Sequence, residues 1–276
     1  MFSLVGTGDA QEADATNQRL RPIRNSSDIW MPSQGMTWQI QFRDALDLTI
    51  DAKMYEIDGA DSAASTVAAL HQAGRRVTCY MNAGAWEEWR DDAAQFPAAV
   101  IGNDYAGWPG EKWLDIRRLD VLAPILRARF DVCAQKGFDA VDPDNVDGYQ
   151  NNTGFPLTAT DQLAFNRFLA AEAHARGLSI ALKNDFDQAD ELAADFDWVV
   201  AESCFRYGEC GKLQPFLSLG KAVFDIEYTE EGMSLGQFCA QAGALRISAI
   251  LKHRSLDAWR QSCSSAGRRR SVRKGG

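Results

Sequence analysis

Residues 137–149 read GFDAVDPDNVDGY, an apolar run that ends in carboxylates. Phe138, Ala140 and Val141 suit a buried strand, and Asp142, Asp144 and Asp147 then arrive within six residues. Carboxylates gathered at a strand's end repel one another and lose water, a cost that chains carry mainly where shifted pKa values are useful. The same letters also suit a solvated turn, because Asp, Asn, Pro and Gly all favour turns. The surrounding pattern decides between the two.

On either side, short apolar runs alternate with helix-patterned segments. The runs at 38–42, 54–58, 77–81, 138–142, 179–184, 198–202, 222–228 and 247–252 make eight strand candidates. Helix patterns occupy 62–73, 121–135, 161–176, 188–194, 211–219, 234–242 and 256–262. Asp161 or Thr160 would cap the third of these and Gly177 would end it. Eight strands alternating with helices predict an α/β fold, a single closed parallel (β/α)8 barrel of the TIM type. Long loops follow strand three (82–119, with four tryptophans) and strand four (145–159). The barrel is expected over 31–263, with a flexible extension at 1–30 and a disordered basic tail at 264–276.

The predicted strands finish on groups that bind or react: Asp58, Asn82, Asp142 with Asp144, Lys183–Asn184, Glu202, Glu227–Tyr228 and Lys252–His253. Loops on that edge of a barrel build the active site. A carboxylate-rich pocket at one barrel mouth is therefore expected.

Charge supports this. Lys+Arg 29 against Asp+Glu 38 leaves −9, and the last nine residues, RRRSVRKGG, hold five positive charges, so residues 1–267 carry −14. Such a body repels nucleic acid and attracts cationic ligands. There is no run of 18 apolar residues and so no expected membrane span. The N-terminal MFSLVGTGDAQEADATNQ is a poor signal peptide, readable as the remnant of a trimmed one. Of six cysteines, Cys79 and Cys133 read as ordinary buried thiols, whereas Cys204 and Cys210, six apart across a turn-rich segment, are close enough to bridge. The pairing of Cys79, Cys133, Cys239 and Cys263 is left open. A secreted, extracellular monomer is expected.

Weaker patterns have blander readings. GMSLG at 232–236 matches the serine-hydrolase pattern with His253 and Asp257 downstream, but no strand precedes it, and Ser234 is better read as a helix cap. DPDNVDG is a poor calcium loop, because Val146 occupies a ligand position. His71, His174 and His253 are scattered and form no zinc set, and no glycine-rich phosphate loop follows a strand. Neither metal nor cofactor is expected. Asn25 and Asn151 lie in N-x-[ST] sequons.

Taken together, GFDAVDPDNVDGYQNNTGFPLT, RRVTCYMNAGAWEEWR, LKND and ESCFRYGEC resemble glycoside hydrolase family 114, the endo-α-1,4-polygalactosaminidases, in the same order from about Trp38 to about Cys263. The resemblance implies a (β/α)8 barrel acting outside the cell on α-1,4-linked galactosamine polymers. It carries the family's catalytic acids onto Asp144 and Glu202, and the acid after strand two onto Asp58. Many members have a YxSxGxxE-type segment after strand three; this chain has YMNAGAWEEW, with Asn82 and Ala83 inside it.

Glycoside hydrolysis needs one acid to protonate the leaving oxygen and a second carboxylate to attack the sugar or activate water. Asp144 and Glu202, on strands separated by one neighbour, can face each other across a substrate. By its similarity to the α-galactosidase type of barrel, Asp144 is expected as nucleophile and Glu202 as acid/base, with retention. The expected substrate contacts are Asp58, Tyr80, Asn82, Trp86, Glu87, Asp142, Asn145, Asp147, Lys183, Asn184 and Tyr228. Asp142, Asp147 and Asp58 are expected to hold the sugar's ammonium while keeping Glu202 protonated. Trp86, Trp89, Trp108, Trp113, Tyr149 and Phe155 either stack on sugars or anchor the long loops. Two other readings stand beside this one: a carbohydrate-binding barrel without turnover, and a glycosidase for another α-linked amino-sugar polymer.

Overall fold

A computed structural model describes residues 29–263. The expectations for the N-terminal extension before residue 29 and for the basic tail at 264–276 lie outside the described residues. Twelve strands are present: β1 (Trp38–Ile40), β2 (Met54–Asp58), β3 (Arg76–Asn82), β4 (Ala85–Glu87), β5 (Ile101–Asp104), β6 (Glu111–Leu114), β7 (Ala140–Asp144), β8 (Ser179–Lys183), β9 (Trp198–Glu202), β10 (Val223–Tyr228), β11 (Ser248–Lys252) and β12 (Gln261–Ser262). The main sheet runs β1-β2-β3-β7-β8-β9-β10-β11-β12, and every neighbouring pair is parallel except the last. Helices α1 (Ala64–Gln72), α2 (Leu119–Lys136), α3 (Ala159–His174), α4 (Ala189–Leu192), α5 (Cys204–Tyr207), α6 (Gln214–Ser218) and α7 (Leu235–Leu245) fill the crossovers.

Alternation along each strand sorts the core into two. Outward residues such as Val77, Cys79, Val141, Ile180, Leu182 and Val199 pack against the helices. Inward residues Trp38, Ile40, Met54, Ala140, Ala181, Trp198, Val200, Phe224 and Ile226 fill the barrel's lower half. Trp38 and Trp198 pack on Phe224 with ring centroids at 5.1 and 5.4 Å. Fully burying each such side chain contributes roughly 1.5–3 kcal/mol. Apolar filling below leaves the charged residues for the upper mouth.

Between β11 and β1 the seam is closed by side chains and the C-terminal segment. The Trp38 indole donates to Ser248 O at 2.8 Å, the Arg260 guanidinium donates to Trp38 O, and Phe42 N–H donates to Leu256 O at 2.9 Å. Residues 256–262, expected to be helical, therefore run as an extended strap that ends in β12, antiparallel to β11. The strap's task is to supply backbone and side-chain partners along an edge, which a helix cannot do.

Other boundaries moved for identifiable reasons. The fourth barrel strand, β7, ends at Asp144, two residues later than expected, because its pairing with β3 continues through Pro143 to Asn82 opposite Asp144, and both Asp142 and Asp144 then point inward. Helix α3 is capped by Thr158, whose hydroxyl accepts from Asp161 N–H while Asp161 returns the bond, a capping box rather than a cap by Thr160 or Asp161. The long loop after β3 carries its own three-stranded antiparallel sheet, β4-β6-β5.

Cys79 and Cys133, whose pairing the sequence left open, are bonded to each other; the outward face of β3 and the inner face of α2 bring their Cα atoms to 5.9 Å. Cys204 is bonded to Cys210, and Cys239 to Cys263, which ties the closing strap to α7. Gly59 lies against the first bridge, where a Cβ would meet the Cys79 sulfur at 2.2 Å.

The Cys79–Cys133 bridge closes 54 residues. Loop-closure entropy then predicts that a Cys79→Ala/Cys133→Ala double variant loses about 4 kcal/mol. Urea unfolding with midpoint and m both fitted reads this directly; a loss below about 1 kcal/mol would remove the bridge from the list of stabilising elements.

Candidate active site

The inward positions at the upper ends of the strands are Asp58 on β2, Tyr80 and Asn82 on β3, Asp142 and Asp144 on β7, Lys183 on β8, Glu202 on β9 and Tyr228 on β10. They alternate with the outward apolar residues just described, so strand parity alone delivers them to one mouth.

At the centre, the Lys183 ammonium lies 3.0 Å from Asp144 Oδ1 and 3.2 Å from Glu202 Oε2. Those two oxygens are therefore at most 6.2 Å apart, the sum of the two contacts. Asp144 also accepts from Tyr80 OH at 3.0 Å and from Asn145 N–H at 2.8 Å. Glu202 accepts from the Tyr228 phenol and, at 3.2 Å, from Asn184 Nδ2. The Lys183 side chain is 5% exposed, whereas Asp144 is 19% and Glu202 29%. A buried cation thus holds two acids that still face the cleft.

Their protonation follows from this arrangement. Burial works to raise the Glu202 pKa, but the Lys183 charge and the hydrogen bonds from Tyr228 and Asn184 outweigh it, so the carboxyl sits below the ordinary glutamate value. Burial works against the charge on Lys183, but Asp144, then Glu202 and Asp142, hold it well above the ordinary lysine value. The expectation that neighbouring carboxylates keep Glu202 protonated is thereby corrected: the lysine wins. Burial, followed by the charge of Asp144, pushes Asp147 up to about 6.

The strands that carry Asp144, Lys183 and Glu202 are each followed by a left-handed residue: Asn145 (φ 64°), Asn184 (φ 52°) and Ser203 (φ 58°). Such residues cost about 1–2 kcal/mol apiece. Here the turn returns the Asn145 N–H to Asp144, and Asn184 both donates to Glu202 and accepts its N–H at 3.0 Å. Next to Asn145, Ala83 N–H and Gly84 N–H both donate to Asp144 O at 3.1 Å. A Cβ on Gly84 would meet Asn145 O at 1.6 Å, so only glycine allows that approach.

Of the expected contacts, Tyr80, Asn145, Lys183, Asn184 and Tyr228 touch the two acids. Others are committed elsewhere. Asp58 is gripped by Arg90 at 2.7 and 3.1 Å, and Glu87 by the same guanidinium at 2.8 and 2.9 Å. This staples the β3 loop to the barrel, so Asp58 is not free to take an ammonium. Asn82 bonds Ala85 N–H, Asn145 Nδ2 and Glu111, filling the loop's polar contacts from a buried position. Trp86 donates to Ala93 O and packs against the outer core. Asp142 is fully buried beneath the mouth. Glu227 faces outward, where it accepts from Phe205 and Arg206 N–H at 2.8 and 3.2 Å, and Lys252 donates to Asp257 O. Ser234 stands at the start of α7 with its hydroxyl on Gln237, and His253 pairs with Asp257 at 2.9 Å.

Two residues near the site went unread in the sequence. Tyr105 is raised above the ordinary tyrosine value by burial and then by the charges of Asp144, Asp147 and Glu202. It packs on Trp113 at 4.6 Å and lines a cavity of about 470 Å³ with Asn103, Asp104, Asn151 and Asn152. No motif marks it, since β5 and the turn after it exist only through pairing with β6. Glu56 lies on the inner face of β2, fully buried; its spacing of two from Asp58 in MYEID was the available signal.

Four similarities to known proteins stand beside this geometry. The family model described as glycoside-hydrolase family GH114 matches residues 20–268. The structure of Aspergillus fumigatus Ega3 in complex with galactosamine is 41% identical and superposes with a TM-score of 0.80, covering 85% of this chain and 97% of that one. The glycoside hydrolase domain of PelA from Pseudomonas aeruginosa shares the fold at 15% identity, with a TM-score of 0.65 and coverage of 82% and 98%. An uncharacterized protein of Deinococcus radiodurans is 26% identical over 227 residues, 74% of this chain and 72% of that protein.

Lys183→Met removes the charge that outweighs burial at Glu202. The Glu202 carboxyl is then expected to titrate above the ordinary glutamate value of 4.5 rather than below it, read by difference infrared spectroscopy against a Lys183→Met/Glu202→Gln control. In the native protein the depressed pKa contributes stability above pH 4.5 that is lost as pH falls through the folded value. An unmoved Glu202 titration would show that the ammonium does not control it.

Proposed function

The chain belongs to glycoside hydrolase family GH114, and from that premise we propose that it is an endo-acting hydrolase of α-1,4-linked galactosamine polymers whose reaction runs on Asp144 and Glu202. The substrate reading is supported by the galactosamine held in the Ega3 structure at 41% identity, and by the acidic body of this chain, −9 overall. One observation carries the choice of residues: a single buried ammonium contacts both acids.

Retaining glycosidases hold their carboxyl groups about 5–5.5 Å apart, and inverting ones about 6.5–9.5 Å apart to admit a water. The facing oxygens of Asp144 and Glu202 are at most 6.2 Å apart, and the retaining arrangement is proposed from the similarity to the α-galactosidase type of barrel. Asp144, held as a carboxylate acceptor by Tyr80, Lys183 and Asn145, attacks the anomeric carbon. Glu202 gives a proton to the leaving oxygen and then takes one from the water that releases the sugar. Because Glu202 rests ionised, the competent fraction of free enzyme grows toward acid pH, and kcat/KM is expected to fall as pH rises from the acid range.

Asp147, partly exposed beside Asp144, is the carboxylate left to meet the sugar's ammonium. Tyr105, packed on the buried Trp113, offers an aromatic face suited to sugars. Both acids come from one chain, so a monomer suffices. All six cysteines are paired, which fits an oxidising, extracellular setting. No described helix is long and apolar enough to cross a membrane.

Asp144→Asn and Glu202→Gln are each expected to lower reducing-end release from a de-N-acetylated α-1,4-galactosamine polymer by about 10³-fold or more with the fold intact. Proton NMR of the wild-type reaction should show the α-anomer first. A β-anomer first would make Asp144 a base rather than a nucleophile; near-wild-type turnover in either variant would overturn the assignment. Asp147→Asn should raise KM for the amine polymer about tenfold with kcat little changed, and equal kcat and KM would remove it from the site.

A further inference from the structure

Beneath the catalytic pair, the barrel buries a second pair of acids. Glu56 on β2 and Asp142 on β7 are both 0% exposed, and no N–H or O–H donor reaches any of their four oxygens. The strand register places Glu56 level with Thr78, Ala140 and Ser179, one layer below Asp142 and Tyr80. The hydroxyls of Thr78 and Ser179, also buried, have no partner either. The carboxyl that faces Glu56 is Asp142, close enough to share a hydrogen bond with it. Two bare carboxylates cannot remain together in such a place, so at least one proton must lie between them.

The groups facing this pair are few. Lys183 comes from β8, Asp144 from the next inward position of β7, and Glu202 from β9; Lys183 and Asp144 act on both members, and Glu202 on Asp142. Lys183 in turn senses Asp144, Glu202 and Asp142, in that order. Three carboxylates thus compete for one ammonium, and the third competes only when it is ionised.

We infer that Glu56 and Asp142 form a proton-sharing pair that positions Lys183 on Asp144 and Glu202, so that the proton stored below the site decides how firmly the catalytic acids are held. The inference rests on the assignment of Asp144 and Glu202 above. Neither Glu56 nor Asp142 touches the cleft, and both act through the lysine. With the pair fully protonated, the ammonium belongs to the two catalytic acids. When Asp142 ionises, the ammonium gains a third partner from below, its hold on Glu202 loosens, and the Glu202 carboxyl rises toward its ordinary value. Burial, with Lys183 opposing and Asp144 reinforcing, raises Asp142 to about 7, while burial and then Asp142 hold Glu56 well above the ordinary range. Asp142 is therefore the member that changes charge near neutrality. Its raised value also means that it contributes stability at acid pH that is lost as pH climbs from 3.8 through about 7.

The test follows the Lys183 Nζ nitrogen by NMR and kcat/KM by reducing-end release, both from pH 4 to pH 9, in the wild type, Asp142→Asn and Glu56→Gln. In the wild type both readouts should show an inflection near pH 7. Asp142→Asn should abolish it in both. Glu56→Gln keeps the side chain's size but replaces the acid's O–H, which favours ionised Asp142, with a weaker amide donor, so it should shift the inflection upward. An inflection unchanged in both variants overturns the inference, as does a wild-type nitrogen that shows none. The nitrogen signal needs no turnover. If Asp144→Asn stays active while the signal behaves as expected, the catalytic assignment has failed and the proton pair has not.

Discussion

A lysine ammonium, 5% exposed and within 3.2 Å of two carboxylates, is the point on which this structure turns. Removing one ion from water into a protein interior costs several kcal/mol, and removing one partner of a buried set costs about 3–5 kcal/mol more. The arrangement is stable because Lys183 has two counter-ions and each of these has further donors, so no charge is left bare. It also sets the chemistry. The same ammonium that lets Asp144 and Glu202 approach each other keeps Glu202 ionised at rest, so in the proposed mechanism its proton must be taken up as a separate event.

The scaffold holds this group by geometry that is costly locally and supported elsewhere. Three strands that bear the central residues break immediately into left-handed turns at Asn145, Asn184 and Ser203, and the turns aim backbone and amide donors back at the acids. The β3 loop packs against the first of these turns, with glycine at the point of closest approach. That loop is held in turn by Arg90 on Asp58 and Glu87, and by Arg129 on Asp92 at 2.7 and 2.8 Å. Acids that look like sugar ligands in the sequence are thus partly the fastening of the wall that completes the cleft. The acidic surplus is divided among the partners of Lys183, the anchoring of the β3 loop and the buried pair Glu56 and Asp142.

The fold places membership of GH114 on a physical footing as well as on resemblance. Apolar aromatics fill the lower barrel, and the polar residues are left to the mouth, where loops from successive strands converge. Glycoside hydrolysis asks for two acids on opposite sides of one bond, and strands β7 and β9, with β8 between them, supply that spacing. The strand between them carries the lysine, so the residue that could have separated the acids is the one that joins them.

Strand parity and strand ends were legible in the sequence because they depend on neighbours one and two residues away. That was enough for the eight parallel barrel strands, for the mouth-facing set from Asp58 to Tyr228, and for nominating Asp144 and Glu202. The strap at 256–262, the Cys79–Cys133 bridge, the sheet within the β3 loop, and the diversion of Asp58 and Glu87 to Arg90 were not legible, since each depends on a partner distant in the chain. The protonation of Glu202 belongs to the same class. A list of nearby carboxylates argues for a raised value, but one lysine on the adjacent strand reverses the sign. Sequence alone determines which way a side chain faces along its own strand; only the folded barrel decides which charges end up within 3 to 4 Å of one another, because Coulomb energy falls with distance through space and takes no account of distance along the chain.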